Sequence, residues 1–229
     1  MLLTEFIKSA LDQTCPFFAD DMTVVEVIDL MQKGRLECAP VLQEGKITAM
    51  VTLRDLLLLR PSSSMNELCL RDLELEKTGT AGLHEHLFEV CSRMRSFPAA
   101  IVPVLEEDGR YAGIIEKAKL LEKIGEVFHL GEEGSTIELD VPSFGLKLSE
   151  IIATLEKNDA TVLSFGLYHE PSKPEGMVVT FRVQTHDLFR LVKNIENYGY
   201  SVRYSSPFFR EGDEELREKA LEFIHFLDM

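Results

Sequence analysis

The chain has 229 residues, of which 45% are hydrophobic and 28% are charged. This length holds one large or two ordinary domains, and the composition excludes collagen-like, low-complexity and wholly disordered chains. The formal net charge of −15 argues against binding nucleic acid or an anionic membrane surface, both of which attract proteins through Lys and Arg.

The cysteines and the N-terminus indicate the cellular compartment. Four widely spaced cysteines form no C-x-x-C pair, which favours reduced thiols over a disulfide framework or a zinc site. Glu5 and Lys8 fall where a signal peptide needs an apolar core. The longest aliphatic run, Leu56 to Leu59, is far shorter than the roughly 20 residues that span a bilayer. We expect a soluble, cytoplasmic chain.

Two segments of the chain resemble each other. Residues 23–31 and 86–94 share one pattern at an offset of 63 residues, and the same offset carries Pro40 onto Pro103. One extra loop residue then raises the offset to 64, which carries Gly45 onto Gly109. The chain therefore contains an internal repeat.

Each copy predicts a helix, two strands and a second, leucine-rich helix. Apolar residues recur at the spacing of one helix face in both copies: Val24, Val27, Ile28 and Met31, then Leu87, Val90, Cys91 and Met94. Strands are predicted over 38–42 and 47–51, and over 100–105 and 111–115, with a turn containing Gly between the strands of each pair. One copy has too little core to be stable alone, so we expect the two to pack together.

The strand and turn sequences resemble a known family. Residues 39–57, A-P-V-L-Q-E-G-K-I-T-A-M-V-T-L-R-D-L-L, look like the signature half of a CBS domain, and residues 102–121 repeat it. The resemblance implies tandem CBS domains, also called a CBS pair or Bateman module, over residues 10–128. Its two repeats would occupy 14–60 and 72–128.

A different unit is predicted over residues 135–205, after a short linker at Gly131 to Gly134. Alternation over 137–141 predicts a strand, and the following patterns complete the order β-α-β-β-α-β, the ferredoxin-like arrangement. The Pro/Gly turn and the final segment Y-G-Y-S-V resemble an ACT domain. The fold class is therefore α+β. The combination is similar to regulatory CBS proteins of the acetoin-utilization type.

The C-terminal residues 206–229 form a third predicted segment. Residues 211–229 predict an amphipathic helix with acidic residues at its start, where the helix dipole favours them. Its apolar face either packs on its own chain or forms a dimer contact.

Thr52 and Asp55 are the candidates for binding a nucleotide. They form a T-x-x-D motif where a strand becomes a helix. In the resembled family the matching Thr hydroxyl binds a phosphate, and the matching Asp carboxylate holds the ribose hydroxyls. The alternative is that Thr52 only caps the helix and Asp55 occupies its first turn.

The family resemblance also indicates where adenine would lie. The positions that match are Cys38, Ala39 and Pro40, with weaker support for Thr14 to Pro16. Pro40 has an alternative role as the terminator of an edge strand.

The second repeat departs from the motif. Glu116 stands in the place of the Thr, where a carboxylate repels phosphate, and Lys119 stands in the place of the Asp, where an ammonium accepts no hydrogen bond from ribose. We expect one nucleotide per chain at most.

The resemblance to ACT domains implies an amino-acid site at the turn after the first strand. That turn consists of Pro142, Ser143, Phe144 and Gly145. Here Ser143 and Phe144 separate the proline from the glycine, whereas the family usually runs them together.

The sequence contains no recognisable catalytic motif, and His84 and His86 are too closely spaced to share a helix face as metal ligands. We therefore expect no enzyme activity, no catalytic cofactor and no metal site. The resulting hypothesis is a regulatory protein that senses AMP, ADP, ATP or S-adenosylmethionine. Resemblance implies a homodimer, which acts on a regulated partner protein. The alternative is a dimerisation or interaction scaffold that binds no nucleotide.

Overall fold

The computed structural model describes residues 2–59, 67–142, 144, 146–170 and 176–207. The chain forms two compact units, divided between Lys123 and Ile124. The predicted C-terminal helix over 211–229 lies outside the described residues, as do Ser143 and Gly145 of the predicted turn.

The first unit begins with a short helix and the first repeat. The elements are α1 (Phe6–Ala10), β1 (Phe18–Ala19), α2 (Val24–Gly34), β2 (Cys38–Gln43), β3 (Lys46–Thr52) and α3 (Leu53–Leu57). Helix α2 begins where Thr23 and Glu26 form a capping box, and it ends at Arg35, whose φ of 52° is left-handed. The predicted helix and both predicted strands are confirmed.

The second repeat follows the same order. Its elements are β4 (Ala81–Gly82), α4 (Leu87–Ser92), β5 (Ile101–Leu105), β6 (Tyr111–Glu116) and α5 (Lys117–Val127). Helix α4 is shorter than predicted, because the chain turns at Arg93 into a 3-10 helix that holds Met94. The Arg93 guanidinium binds the Glu85 carboxylate and the Thr80 carbonyl oxygen.

Each repeat has a three-stranded sheet in which a hairpin pairs with one short parallel strand. The orders are β1-β2-β3 and β4-β5-β6. Val24, Val27 and Met31 of α2 are fully buried against the first sheet, as their spacing predicts. Leu87 and Val90 of α4 are buried equally.

The two repeats meet in a shared apolar cluster, hereafter the junction cluster. Met50, Ile101 and Ile114 are its buried members. Half-buried residues surround them: Cys15, Cys38, Ile47, Ala99 and Tyr111. Residues related by the repeat offset occur together, such as Met50 with Ile114. The predicted packing of one repeat on the other is therefore present, with approximate two-fold symmetry.

Segments that lead into the repeats cross to the opposite repeat. Asp12 forms a bridge with Ile114 of β6, with backbone hydrogen bonds of 2.8 and 2.9 Å. Correspondingly, the Met50 N–H of β3 donates to the Glu76 carbonyl oxygen at 3.0 Å. The segment around Asp12, which leads into the first repeat, therefore lies beside the second repeat. The segment around Glu76, which links the two repeats, lies beside the first repeat.

From residue 135 onwards, the described part of the second unit forms a four-stranded sheet and two helices. Its elements are β7 (Ser135–Pro142), α6 (Leu148–Lys157), β8 (Thr161–His169), β9 (Gly176–Gln184), α7 (Leu188–Asn197) and β10 (Ser201–Ser205). The sheet has the order β10-β7-β9-β8, and all neighbouring strands are antiparallel. Apolar residues of β7 and β9 and of both helices form its core. Gly199, with φ of 88°, follows the end of α7.

The segment predicted as a linker is held against the second unit. The Ser164 hydroxyl donates to the Phe128 carbonyl oxygen at 2.8 Å, and the Arg182 guanidinium donates to the Glu132 carbonyl oxygen at 2.9 Å. Residues 128–134 are therefore an ordered part of this unit.

Candidate functional site

Cys38 and Thr52 lie next to each other in the first repeat. They are directly opposite in the antiparallel ladder of β2 and β3. Both line a cavity of about 640 Å³. A cavity of this size lies within the usual range for small-molecule sites, about 300–1,000 Å³.

The cavity has a predominantly apolar lining. The described residues that line it are Glu37, Cys38, Thr52, Leu53, Arg54, Leu57, Leu58, Ala99 and Ala100. Of these, Glu37, Thr52 and Arg54 are polar or charged. Ala99 and Ala100 come from the second repeat, so the cavity lies where both repeats contribute.

Thr52 and Asp55 are joined by hydrogen bonds. The Thr52 hydroxyl donates to the Asp55 carboxylate at 2.6 Å and accepts from the Asp55 backbone N–H at 3.1 Å. Thr52 is thus the N-cap of α3, a helix of five residues. The capping role is confirmed, and the role in nucleotide binding remains a prediction.

Ala39 and Pro40 lie deeper than Cys38. Ala39 is 0% exposed in the core of the first repeat, and neither residue lines the described cavity. A ligand contact there would have to involve the backbone. The alternative role of Pro40 as a strand terminator is wrong, because Pro40 is the third residue of β2. Strand β1 pairs with β2 only from Val41 onwards, so the missing N–H of Pro40 costs no ladder bond on that side.

Burial is the main influence on the Cys38 thiol and raises its pKa. The Glu37 carboxylate also raises the pKa, whereas hydrogen bonds with the backbone of Ala100 and Ile101 and, least of all, the Lys117 ammonium lower it. Lys117 itself donates a hydrogen bond to the Phe97 carbonyl oxygen. Cys38 is therefore a neutral, polarizable wall of the cavity at pH 7.

The residue of the second repeat that matches Thr52 occupies the same place in its own pair of strands. Glu116 lies opposite Ile101 in the ladder, as Thr52 lies opposite Cys38. Lys119 is close enough to lower the pKa of Asp12, after the larger effects of hydrogen bonds from Thr14.

Thr14, Cys15 and Pro16 are not among the described residues that line the cavity of the first repeat. The segment crosses to β6, and the Asp12 carboxylate accepts 2.7 Å hydrogen bonds from the backbone and hydroxyl of Thr14. Cys15 packs with Cys38 in the junction cluster, and the weaker prediction of an adenine contact at Thr14 to Pro16 stays a prediction.

Sequence reasoning missed Arg54, Leu57 and Leu58, which belong to the helix after Thr52, and the two alanines of the second repeat. One signal was available for the alanines. The repeat offset carries Cys38 onto Ile101, the residue directly after Ala100, and residues related by an approximate two-fold axis meet near that axis.

The second unit has a cavity beside the predicted amino-acid turn. Its volume is about 490 Å³. The described lining residues are Asp140, Val141, Pro142, Leu146, Lys147, Glu150, Ile151, Gly199, Tyr200 and Ser201. Pro142 of the predicted turn therefore lines a cavity, whereas Phe144 is 93% exposed. The ammonium of Lys147 lies 2.7 Å from the Glu150 carboxylate.

The described residues lack both a metal-ligand cluster and a helix that could span a membrane. No group of three His, Cys, Asp or Glu side chains is placed to hold a metal ion. No helix in the same part of the chain is long and apolar enough to cross a membrane. The Nδ1 atom of His86 instead accepts the Phe88 backbone N–H at 3.1 Å, which caps α4.

Fold and site together define a tandem α+β repeat with a cavity lined by both copies. Residues 8–62 and 78–126 match the CBS domain family. The two repeats are CBS domains, and the chain contains a tandem CBS pair. A comparison with curated protein sequences found no match.

A comparison with solved structures found partial similarities, three of which follow. The CBS domain of a bacterial CNNM/CorC family Mg²⁺ transporter in complex with ATP is 16% identical, with a TM-score of 0.47, over 56% of this chain and 88% of that one. The CBS-pair protein CBSX2 from Arabidopsis thaliana is 15% identical, with a TM-score of 0.46, over 53% and 94%. A CBS domain pair/ACT domain protein from Thermotoga maritima is 23% identical, with a TM-score of 0.40, over 52% and 96%.

Proposed function

We propose that this protein is a regulatory sensor of an adenosine-containing ligand, bound in the cavity of the first CBS repeat. The observation that carries the proposal is the placement of Cys38 and Thr52 side by side in a cavity of about 640 Å³, with Asp55 bonded to Thr52. The cavity combines an apolar wall with a few polar groups, as small-molecule sites do.

The chemistry of the lining is suited to the parts of a nucleoside. The Asp55 carboxylate can accept from two neighbouring ribose hydroxyls, and the Thr52 hydroxyl can donate to a phosphate oxygen. Adenine would lie against Cys38, Ala99 and Ala100. Ligand binding would favour one arrangement of the protein only through a higher affinity for that arrangement.

A thermal-shift panel tests this function. Adenosine, AMP, ADP, ATP, S-adenosylmethionine and NAD are compared, with and without the substitution Asp55→Ala. A ligand at 100 times its Kd stabilises the protein by about 2.7 kcal/mol, which is roughly 5–10 °C in Tm for a chain of this length. A shift that Asp55→Ala abolishes supports the proposal. No shift with any compound supports the alternative, a scaffold that binds no nucleotide.

The second repeat does not complete a second site of this kind. Glu116 occupies the place of Thr52, and Lys119 occupies the place of Asp55. One ligand per chain is therefore expected, and the stoichiometry from titration calorimetry checks it.

A second candidate function is amino-acid binding by the ACT-like second unit. The cavity beside Pro142 favours it, because Lys147 offers an ammonium for a carboxylate and Asp140 offers a carboxylate for an ammonium. The same thermal-shift panel includes the twenty amino acids. A shift with one of them that Lys147→Met removes supports this function, and its absence leaves the second unit without this role.

We further propose that the protein is a homodimer. The helices of the CBS pair expose Val25, Leu30, Leu57 and Leu121 to solvent. Exposed apolar groups of this kind mark association surfaces when they are contiguous. Sedimentation equilibrium tests the proposal, and a monomer of 26.0 kDa at every concentration would overturn it.

A further inference from the structure

The charges around the first-repeat cavity are balanced. Its described lining contributes one guanidinium, from Arg54, and one carboxylate, from Glu37. Asp55 adds a second carboxylate through its bond to Thr52. The Lys117 ammonium lies near Cys38 and is a second cation, which also donates to the Phe97 carbonyl oxygen. Among the described residues, two cations are therefore matched by two carboxylates, with no excess of cations.

A polyphosphate needs such an excess. Each added phosphate brings further negative charge, which loses hydration on binding and must be compensated by Lys, Arg or a metal ion. The chain itself carries a net charge of −15, so the background potential also opposes a polyanion. Adenosine and S-adenosylmethionine bring no negative net charge, and AMP brings one phosphate, which Arg54 can accompany.

We propose that this cavity selects adenosine compounds with at most one phosphate and rejects ADP and ATP by charge. The inference rests on the proposed nucleotide function and adds the class of ligand that the site accepts. Glu37 and Arg54 set the selection, since they are the charged residues in the described lining.

Titration calorimetry in EDTA tests the selection with adenosine, AMP, ADP, ATP and S-adenosylmethionine. The expected result is that ATP binds at least about tenfold more weakly than AMP, a difference that electrostatic repulsion supplies easily. The ratio of the two Kd values should shrink as the salt concentration is raised from roughly 0.05 to 0.5 M, because salt screens partly exposed charges. Mg²⁺, added in place of EDTA, should also reduce the ratio of the ATP Kd to the AMP Kd, because it neutralises part of the ATP charge.

Two substitutions assign the selection to the cavity. Glu37→Gln removes one negative charge and should strengthen ATP binding more than AMP binding. Arg54→Ala should weaken AMP binding more than it weakens adenosine binding. The matched control is Glu107→Gln, which removes an exposed carboxylate from the turn between β5 and β6, at the far end of β5 from Ala100. It should leave the AMP-to-ATP ratio unchanged.

The outcomes separate the two proposals. ATP binding as tightly as AMP overturns the selection by charge, while adenosine binding still supports the nucleotide function. A large ratio that neither salt nor Glu37→Gln changes overturns the role of charge. No binding of any adenosine compound overturns the nucleotide function and this inference together.

Discussion

The hydroxyl of Thr52 and the carboxylate of Asp55 share a hydrogen bond of 2.6 Å. The two side chains predicted to contact phosphate and ribose therefore already hold each other at the start of α3. The bond orients the carboxylate beside the cavity before any ligand arrives. A ligand that uses the Thr52 hydroxyl has to share or replace this bond.

The first prediction concerns this hydroxyl. Thr52→Val removes the hydroxyl at nearly constant volume, so the cap of α3 and the bond to Asp55 are lost together. We expect the free energy of unfolding to fall by about 1 kcal/mol, the usual value of an N-cap. Binding of AMP should weaken by about 1 kcal/mol as well, because one hydrogen bond is lost. Urea denaturation and titration calorimetry measure the two effects.

Thr23→Val is the matched control. Thr23 caps α2 of the same repeat with the same chemistry, and it does not line the described cavity. It should reduce stability by a similar amount and leave AMP binding unchanged. If both variants weaken AMP binding equally, the Thr52 hydroxyl has no direct role in the site.

The local elements of each repeat could be predicted because apolar periodicity records burial directly. Val24, Val27 and Met31 show this, since all three are fully buried. The cavity wall from Ala99 and Ala100 could not be predicted in the same way. Small residues carry no periodic signal, and their place depends on how the second repeat packs against the first.

Two other expectations differ from the structure. The face of α4 was expected to continue to Met94, but the helix ends at Ser92, and the next residue, Arg93, has a non-helical backbone and binds Glu85 and the Thr80 carbonyl oxygen. Residues 131–134 were expected to be a linker because they are rich in Gly and Glu. The hydrogen bond from the distant Arg182 that holds Glu132 leaves no trace in local composition.

The second prediction concerns the contact between Gly113 and Asp12. Gly113 has a φ of +150°, and a Cβ there would lie 2.6 Å from the Asp12 carbonyl oxygen. Gly113→Ala should therefore lower the free energy of unfolding by about 1–3 kcal/mol, because both the backbone conformation and the contact become unfavourable. Urea denaturation measures the change.

Gly125→Ala is the control, since its Cβ meets nothing within 4 Å and it lies in α5. It should raise stability by about 0.5–1 kcal/mol. Equal effects of the two substitutions would contradict the proposed contact.

The third prediction concerns the pH dependence of the Glu85–Arg93 ion pair. The two guanidinium nitrogens of Arg93 donate to the Glu85 carboxylate at 2.6 and 3.0 Å. The bond from Arg93 lowers the pKa of Glu85, and burial opposes part of that shift. A lowered folded-state pKa gives stability that is present above the unfolded value of about 4.3 and is lost as the pH falls through the folded pKa.

Glu85→Gln tests this dependence by thermal denaturation. The difference in Tm between the wild type and Glu85→Gln should be largest near neutral pH and should shrink as the pH falls below about 4. Glu107→Gln, at an exposed turn, should differ little from the wild type at any pH. A Tm difference for Glu85→Gln that stays constant down to about pH 3 would show that the charge of Glu85 contributes nothing.

The fourth prediction concerns residues 128–134, which include the predicted linker at 131–134. Backbone N–H groups of Phe128, His129 and Leu130 donate to carbonyl oxygens of residues 124–126, and Arg182 holds the Glu132 carbonyl oxygen from the sheet. These amides should exchange more slowly with deuterium than those of an unstructured Gly/Glu segment, since exchange requires local opening.

Arg182→Leu should raise the rate of hydrogen exchange at residues 128–134, because the bond to Glu132 is lost. Arg190→Leu, on the exposed surface of α7, is the matched loss of a guanidinium and should leave exchange there unchanged. Exchange at the intrinsic rate in the wild type would show that the segment is a free linker after all.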